Sequence, residues 1–291
     1  IILDEMNKNE SHDEILEIKK EEIIVLEKEL EIKKKEFDKL INKSEINNSN
    51  QVIGIVKLEE NWYKPKPGTS WQWQLSGEVD TSYKVDLYDV DLFDTPQEII
   101  DILHKKDIKV ICYFSAGSWE EWRYDANKFP KEILGKVLDG WPDEKWLDVS
   151  EYETFSSIIE ARLDLAVEKK CDGVEPDNVD GYSNNNGFGI TFDEQIEYNK
   201  WLANETHKRN LSIALKNDLD QIKELEPYFD FAINEQCFEF DECDLLSPFI
   251  ENGKAVLGVE YELRLNEFCN HAEEMNFSWL EMSYDLGGDR K

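Results

Sequence analysis

The segment Glu175-Pro176-Asp177-Asn178-Val179-Asp180-Gly181 sets three carboxylates and a carboxamide within seven residues. It follows Cys171-Asp172-Gly173-Val174, which reads as the opening of a buried strand. Acids are rarely buried without a partner or a task, so a strand end crowded with them is a candidate floor for a reaction site. Side chains two apart share a strand face, so Glu175 and Asp177 point the same way. Asn178 faces the other way unless the strand has already ended. In Phe229-Asp230-Phe231-Ala232-Ile233-Asn234-Glu235 the same rule makes Glu235 the polar tip of an apolar face formed by Phe229, Phe231 and Ile233. Asp177 and Glu235 thus form a candidate pair. Two carboxyl groups flanking a bond are the working parts of most glycoside hydrolases, one as acid and the other as nucleophile or base.

These residues need elements to hold them. Strand candidates are 71–75, 84–89, 109–114, 145–149, 173–177, 212–216, 229–235, 255–261 and 279–284. Helical stretches at 96–106, 154–169, 192–209 and 218–225 lie between most of them. Strands spaced by helix-sized segments imply βαβ units and a parallel sheet. Nine candidates fit a TIM-type (β/α)8 barrel with one accessory strand to spare. A doubly wound open sheet is disfavoured, because no Gly-x-Gly-x-x-Gly loop follows any strand. In a barrel the site forms at the carboxyl ends of the strands. The ends here deliver Asp89 and Asp91, Tyr113 and Ser115, Asp148, Glu175 and Asn178, Lys216 and Asn217, Asn234 and Gln236, and Glu260 and Tyr261. Ion pairs and turn caps account for some of these, but not for so many acids converging with so few bases. Trp71, Trp73, Trp119, Trp122 and Tyr182 flank the same ends and could stack on apolar ring faces, although ordinary core packing claims some of them.

The first 50 residues differ from the body. Residues 14–40 lack Gly and Pro, and Leu16, Ile23, Leu30 and Phe37 recur every seven residues, with Leu26 and Leu40 in the companion seam. This predicts a long N-terminal helix, suited to a short parallel coiled coil and self-association or, because Lys19 and Lys33 interrupt the seam, to a solvated tether. A polar linker follows, so residues 1–50 form a leader and 51–291 the barrel domain.

Of 291 residues, 65 are Asp or Glu against 33 Lys or Arg, a formal net charge of −32. Such a surface excludes nucleic acid as a partner and suits either plain solubility or a polycationic substrate. No apolar run approaches the roughly 20 residues of a membrane-spanning helix. The five Cys and four His show no metal-binding spacing, and no cofactor motif occurs. A calcium-loop reading of 182–193 fails because its first position is Tyr182. His104, His207 and His271 fall in helical stretches without a nucleophile partner. Cys237 and Cys243 are spaced for a loop disulfide, which suits a secreted or cell-surface protein, while Cys112 and Cys171 read as buried thiols and Cys269 is left over.

Several longer segments, in order, resemble glycoside hydrolase family 114, the endo-α-1,4-polygalactosaminidases. They are 67–75, 86–94, 110–117, 146–148, 172–181, 214–217, 234–237 and 259–261, and the resemblance covers about residues 60 to 285. The resemblance implies a TIM-type barrel, cleavage inside α-1,4-linked galactosamine chains, and Asp177 and Glu235 as the catalytic pair. Trp73, Asp89, Asp91, Tyr113, Ser115, Glu175, Asn178, Lys216, Glu260 and Tyr261 are the expected substrate-binding set. The partner is then a cationic galactosamine polysaccharide. The competing reading is a non-catalytic module that binds a cationic glycan, its acids serving only to hold amines.

Overall fold

The computed structural model describes residues 61–291. The predicted leader helix, its coiled coil and the linker lie outside the described residues. Eight parallel strands form one sheet: β1 (Trp71–Gln74), β2 (Leu87–Asp91), β3 (Lys109–Ser115), β7 (Gly173–Asp177), β8 (Ser212–Lys216), β9 (Phe231–Glu235), β10 (Val256–Glu260) and β11 (Ser278–Glu281), hydrogen-bonded in that order. The chain is a TIM-type barrel, as expected. Between β11 and β1 the seam is closed by the C-terminal segment. Leu75 N–H donates to Leu286 O (3.0 Å), the Gln72 amide to Gly288 O (2.7 Å) and the Arg290 guanidinium to Trp71 O (2.7 Å).

Period-two alternation splits the core in two. Val110, Cys112 and Phe114 of β3, Ile213 and Leu215 of β8, and Val256 of β10 face outward under the helices. Trp71, Leu87, Ile111, Ala214, Phe231, Ile233, Leu257, Val259 and Leu280 fill the barrel interior. The helices α1 (Gln97–His104), α2 (Ser156–Glu168), α3 (Phe192–Lys208), α4 (Ile222–Leu225), α5 (Ser247–Glu251) and α6 (Leu265–Glu274) follow their strands. The longest, α3, starts at a capping box: Thr191 Oγ1 accepts from Glu194 N–H, while the Glu194 carboxylate accepts from Thr191 N–H.

The ninth strand candidate, 145–149, is not a barrel strand. It falls largely in β6 (Trp141–Leu147), which pairs antiparallel with β4 (Ser118–Glu120) and β5 (Leu134–Leu138) in a separate three-stranded sheet inserted after β3. Asp148 is accordingly no rim residue and caps the turn that follows, accepting from Ser150 Oγ at 2.6 Å. The insert is anchored by buried ion pairs. Arg123 bonds Glu120 and Asp91, and Arg162 grips Asp125 through two nitrogens at 2.9 Å while donating to Ser115 O at 2.7 Å.

Cys237 and Cys243 form the expected disulfide. The reading of Cys112 and Cys171 as buried thiols is corrected: they are joined, tying β3 to the turn that leads into β7. Both lie on outward-facing, apolar positions, so burial masked their proximity; only the pairing of β3 with β7 brings them together. The link closes a loop of 59 residues, a length for which a cross-link stabilises by about 2–4 kcal/mol. Cys112→Ala with Cys171→Ala is expected to lower Tm by roughly 5–10 °C. An unchanged Tm in differential scanning calorimetry would show that the bond contributes nothing to the fold.

Candidate active site

The interior changes character toward the carboxyl ends of the strands. Below lies the apolar fill; above it Trp73, Asp89, Tyr113, Glu175, Asp177, Lys216 and Glu235 meet. Each continues the inward-facing register of its own strand. Lys216 is the hub, only 2% exposed along its side chain. Its Nζ lies 3.1 Å from Glu175 Oε1, 3.2 Å from Asp177 Oδ1 and 3.3 Å from Glu235 Oε2. It also sits 4.8 Å from the Trp73 ring centroid, over the face of the indole. Burial works against its charge, but Asp177, Glu175 and Glu235 outweigh that and hold its pKa well above the ordinary lysine value.

Each carboxylate then has neutral donors. Tyr113 Oη donates to Asp177 Oδ2 at 3.0 Å, and Tyr261 Oη to Glu235 Oε1 at 2.5 Å. The Asn217 amide donates to Glu235 Oε2 (3.2 Å), and Trp73 Nε1 to Glu175 Oε2 (3.0 Å). Burial, and then the facing carboxylates, push both phenols up, so they stay protonated and donate. Beneath them Asp89 is wholly buried. Burial first, and the adjoining Glu175 second, raise its pKa well above the usual carboxylate range, which favours its protonated form beside Glu175. Glu175 itself is lifted to about 7, by burial against the pull of Lys216.

The strand ends turn sharply above these groups. Asn178, Asn217 and Gln236, the residues directly after β7, β8 and β9, all have left-handed φ angles (61°, 52° and 66°). Carboxamide residues are among those that tolerate this region. Gly117 fits against the turn: a Cβ there would lie 1.6 Å from Asn178 O, and Gly117 N–H bonds Asp177 O at 3.0 Å. Asn178 therefore swings into the cleft rather than away from it.

The cleft has a volume of about 750 Å³ and is lined by Trp73, Asp91, Tyr113, Asp177, Asn178, Lys216 and Glu235 of the expected set. Asp91 reaches it with both oxygens engaged, Oδ2 by Arg123 at 2.7 Å and Oδ1 by the Phe93 and Asp94 amides. Asp89 and Glu175 form the floor below, and Tyr261 braces Glu235 from the side. Ser115 is buried, supporting the rim by accepting from the Asn178 amide at 2.9 Å. Glu260 does not join the site. It faces outward from β10, where its Oε1 accepts from Phe238 N–H (3.0 Å) and Trp279 Nε1 (3.2 Å). Its outward companion Gly258 is small because the Trp279 indole lies against it; a Cβ there would sit 2.2 Å from that ring.

One wall comes from the insert, which sequence reading underused. Trp141 and Trp122 are 57% and 52% exposed on it, beside Val137, Asp139 and Glu144. A Trp directly after the Gly140 turn of a hairpin was the available signal for Trp141. Trp119 and Trp71 lie elsewhere: Trp119 Nε1 bonds Ala126 O, and Trp71 fills the barrel floor.

The fold and its acid-lined cleft define a barrel glycosidase. The model of Glycoside-hydrolase family GH114 matches residues 55–290, and the chain belongs to that family. It is a glycoside hydrolase. The chain is similar to Ega3 of Aspergillus fumigatus, solved in complex with galactosamine, at 41% identity over 79% of this chain and 96% of that one, with a TM-score of 0.75. It shares its fold with the glycoside hydrolase domain of PelA from Pseudomonas aeruginosa, at 9% identity over 78% of this chain and 98% of that one, with a TM-score of 0.60. A comparison with curated proteins found no match.

Several acids at the site bind protons more tightly folded than unfolded. Burial lifts Glu144 to about 7, Asp180 to about 6 and Asp218 to about 9, alongside Glu175 at about 7. For an acid so raised, the unfolded state holds fewer protons above its ordinary pKa near 4, so stability falls as pH climbs toward the folded value. Tm is expected to be higher near about pH 5 than near about pH 8, and Glu144→Gln should flatten part of the decline between about 4.5 and 7. A Tm that climbs across that window would contradict the burial of these acids.

Proposed function

We propose that this chain is an endo-acting hydrolase of α-1,4-linked galactosamine polymer, with Asp177 and Glu235 as its working carboxylates. The observation that carries the reading is the Lys216 ammonium bridging both acids at the base of an open, acid-lined cleft. One carboxyl group protonates the glycosidic oxygen as the bond to the anomeric carbon breaks. The other meets the developing positive charge at that carbon. Support for galactosamine comes from the 41% identical Ega3 and its galactosamine complex, and from acids that outnumber bases in the cleft. Trp73, Tyr113, Asn178, Lys216 and Tyr261 hold the reacting unit or the acids that act on it. An extracellular setting fits the two disulfides, and no helix of the described residues is long and apolar enough to cross a membrane.

Incubation with galactosaminogalactan tests the substrate. Oligosaccharides should be released from deacetylated polymer, and release should weaken with added salt as the attraction between cleft and ammonium groups is screened. Asp177→Asn and Glu235→Gln keep shape and should each lower kcat by about 10²–10⁴-fold while leaving polymer binding nearly intact. Turnover that survives both substitutions would instead make the acids binders of amines.

The bridge also bears on stereochemistry. Asp177 Oδ1 and Glu235 Oε2 both lie near one nitrogen, so they are at most about 6.5 Å apart. Retaining enzymes hold their carboxyl groups about 5 Å apart, while inverting ones leave roughly 6.5–9.5 Å for a water. Retention is therefore expected, with Asp177 or Glu235 forming a glycosyl ester that water later cleaves. Proton NMR of the first-formed products decides it: initial appearance of the β-anomer would establish inversion.

A further inference from the structure

Beside the cleft lies a second pocket of about 270 Å³, the space of about nine waters and so on the scale of one sugar ring. Its lining includes Asp180, Asn217, Asp218, Asp220, Asn234 and Glu242, and no Lys or Arg among the described residues. Asp180 and Asn217 line both spaces, so the pocket adjoins the cleft that holds the carboxylate pair.

Two of its buried groups are incompletely bonded. Asp218 is 4% exposed; its Oδ2 accepts from the Asn199 amide at 2.9 Å, whereas Oδ1 has no partner among the described residues. Asn234, 1% exposed, is fixed in orientation by its neighbour. Glu235 N–H donates to Asn217 Oδ1 at 3.0 Å, so that atom is the carbonyl oxygen, and Asn234 must present Nδ2 to it at 3.2 Å. Asn234 Oδ1 is then left as an acceptor without a donor. The Asn234 acceptor calls for a donor, and the Asp218 carboxyl, which burial lifts to about 9, calls for a partner that favours its charged form. Three further acids on the lining, Asp180, Asp220 and Glu242, call for a positive one, and among the described residues no acids are grouped to hold a metal ion.

We propose that this pocket is a second amino-sugar subsite, which holds the ammonium group of a further hexosamine unit of the chain cut at Asp177 and Glu235. It rests on the reading of the substrate as a cationic glycan. Asn217 couples the two places, since its amide donates to Glu235 while its oxygen accepts from Asn234. A sugar in the pocket thereby fixes the turn that positions Glu235.

The side-chain amide signals of Asn217 and Asn234 report on the pocket directly, and the whole protein carrying Asp177→Asn removes turnover from the measurement. Titration with galactosamine should shift both signals saturably, and N-acetylgalactosamine should not. Asp220→Asn with Glu242→Gln, both at the pocket's outer edge, should weaken that binding by about fivefold. Equal shifts with ammonium chloride would reduce the pocket to a simple cation site and overturn the proposal, as would no shift with galactosamine or an unaltered affinity in the double variant. These readouts do not need hydrolysis, so a wild-type enzyme that failed to cut the polymer would sink the proposed substrate and leave the pocket's answer legible.

Discussion

A single buried ammonium governs this site. Lys216 enters from the middle strand of three, with Glu175 and Asp177 on one side and Glu235 on the other. Carboxylates this close in a low-dielectric interior repel strongly, and no arrangement of neutral donors could hold all three charged at once. The lysine makes the cluster tolerable, and its pull on each acid fixes where the acid points. Removing one partner from such a cluster costs far more than the pairing gained, because the remaining charges stay buried. The tyrosines and Trp73 then complete what the lysine leaves, one donor to each carboxylate.

Asp89 shows how close the cluster runs to the limit of what one cation can neutralise. It is wholly buried beside Glu175, and burial together with that neighbour holds its pKa well above the carboxylate range, which favours the neutral form over a fourth charge. Burial alone would favour the neutral form, and the adjacent carboxylate makes that choice firmer. The same logic explains the insert. Asp91 sits on the same inward face as Asp89, yet Arg123 meets it, and the Arg123–Glu120 and Arg162–Asp125 pairs extend that neutralisation across the base of the three-stranded sheet. The wall carrying Trp122 and Trp141 is therefore tied to the barrel by ion pairs as well as by apolar packing.

Alternation along single strands made the upper layer legible in advance. Glu175, Asp177 and Glu235 follow from period two, and Lys216 follows from its place at the tip of Ser212–Lys216. Glu260 failed for the same reason the others succeeded: in Val256–Glu260 it is Leu257 and Val259 that face inward, so its carboxylate must point out toward Trp279. Pairing across strands was not legible. Cys112 and Cys171 share a bond only because β7, and not the next strand candidate in sequence, lies beside β3. The insert hid for a related reason, since an apolar stretch such as 145–149 reads alike in a barrel and in an antiparallel hairpin. Nor could alternation place Asn178, whose inward turn needs a left-handed φ and a glycine opposite.

The electrostatics of the cleft also bear on the proposed choice of sugar. Burial first, with neighbouring acids adding to it, resists ionisation and pushes Asp180 up to about 6 and Glu144 up to about 7 at the edges of the cleft. A neutral sugar replaces water at these groups without relieving that resistance. A sugar bearing an ammonium relieves it, because a cation within a few ångströms favours the charged form of each acid. A cationic unit of the proposed substrate would therefore release protons from the rim. Lys216, paired with the three acids at the centre, lowers Asp180 as well, but by less than burial and Asp177 raise it. Under the proposed reading of the substrate as a cationic glycan, the excess of acid that weakens the fold toward neutral pH would also favour an amino sugar over its acetylated counterpart, and the two effects would share one cause.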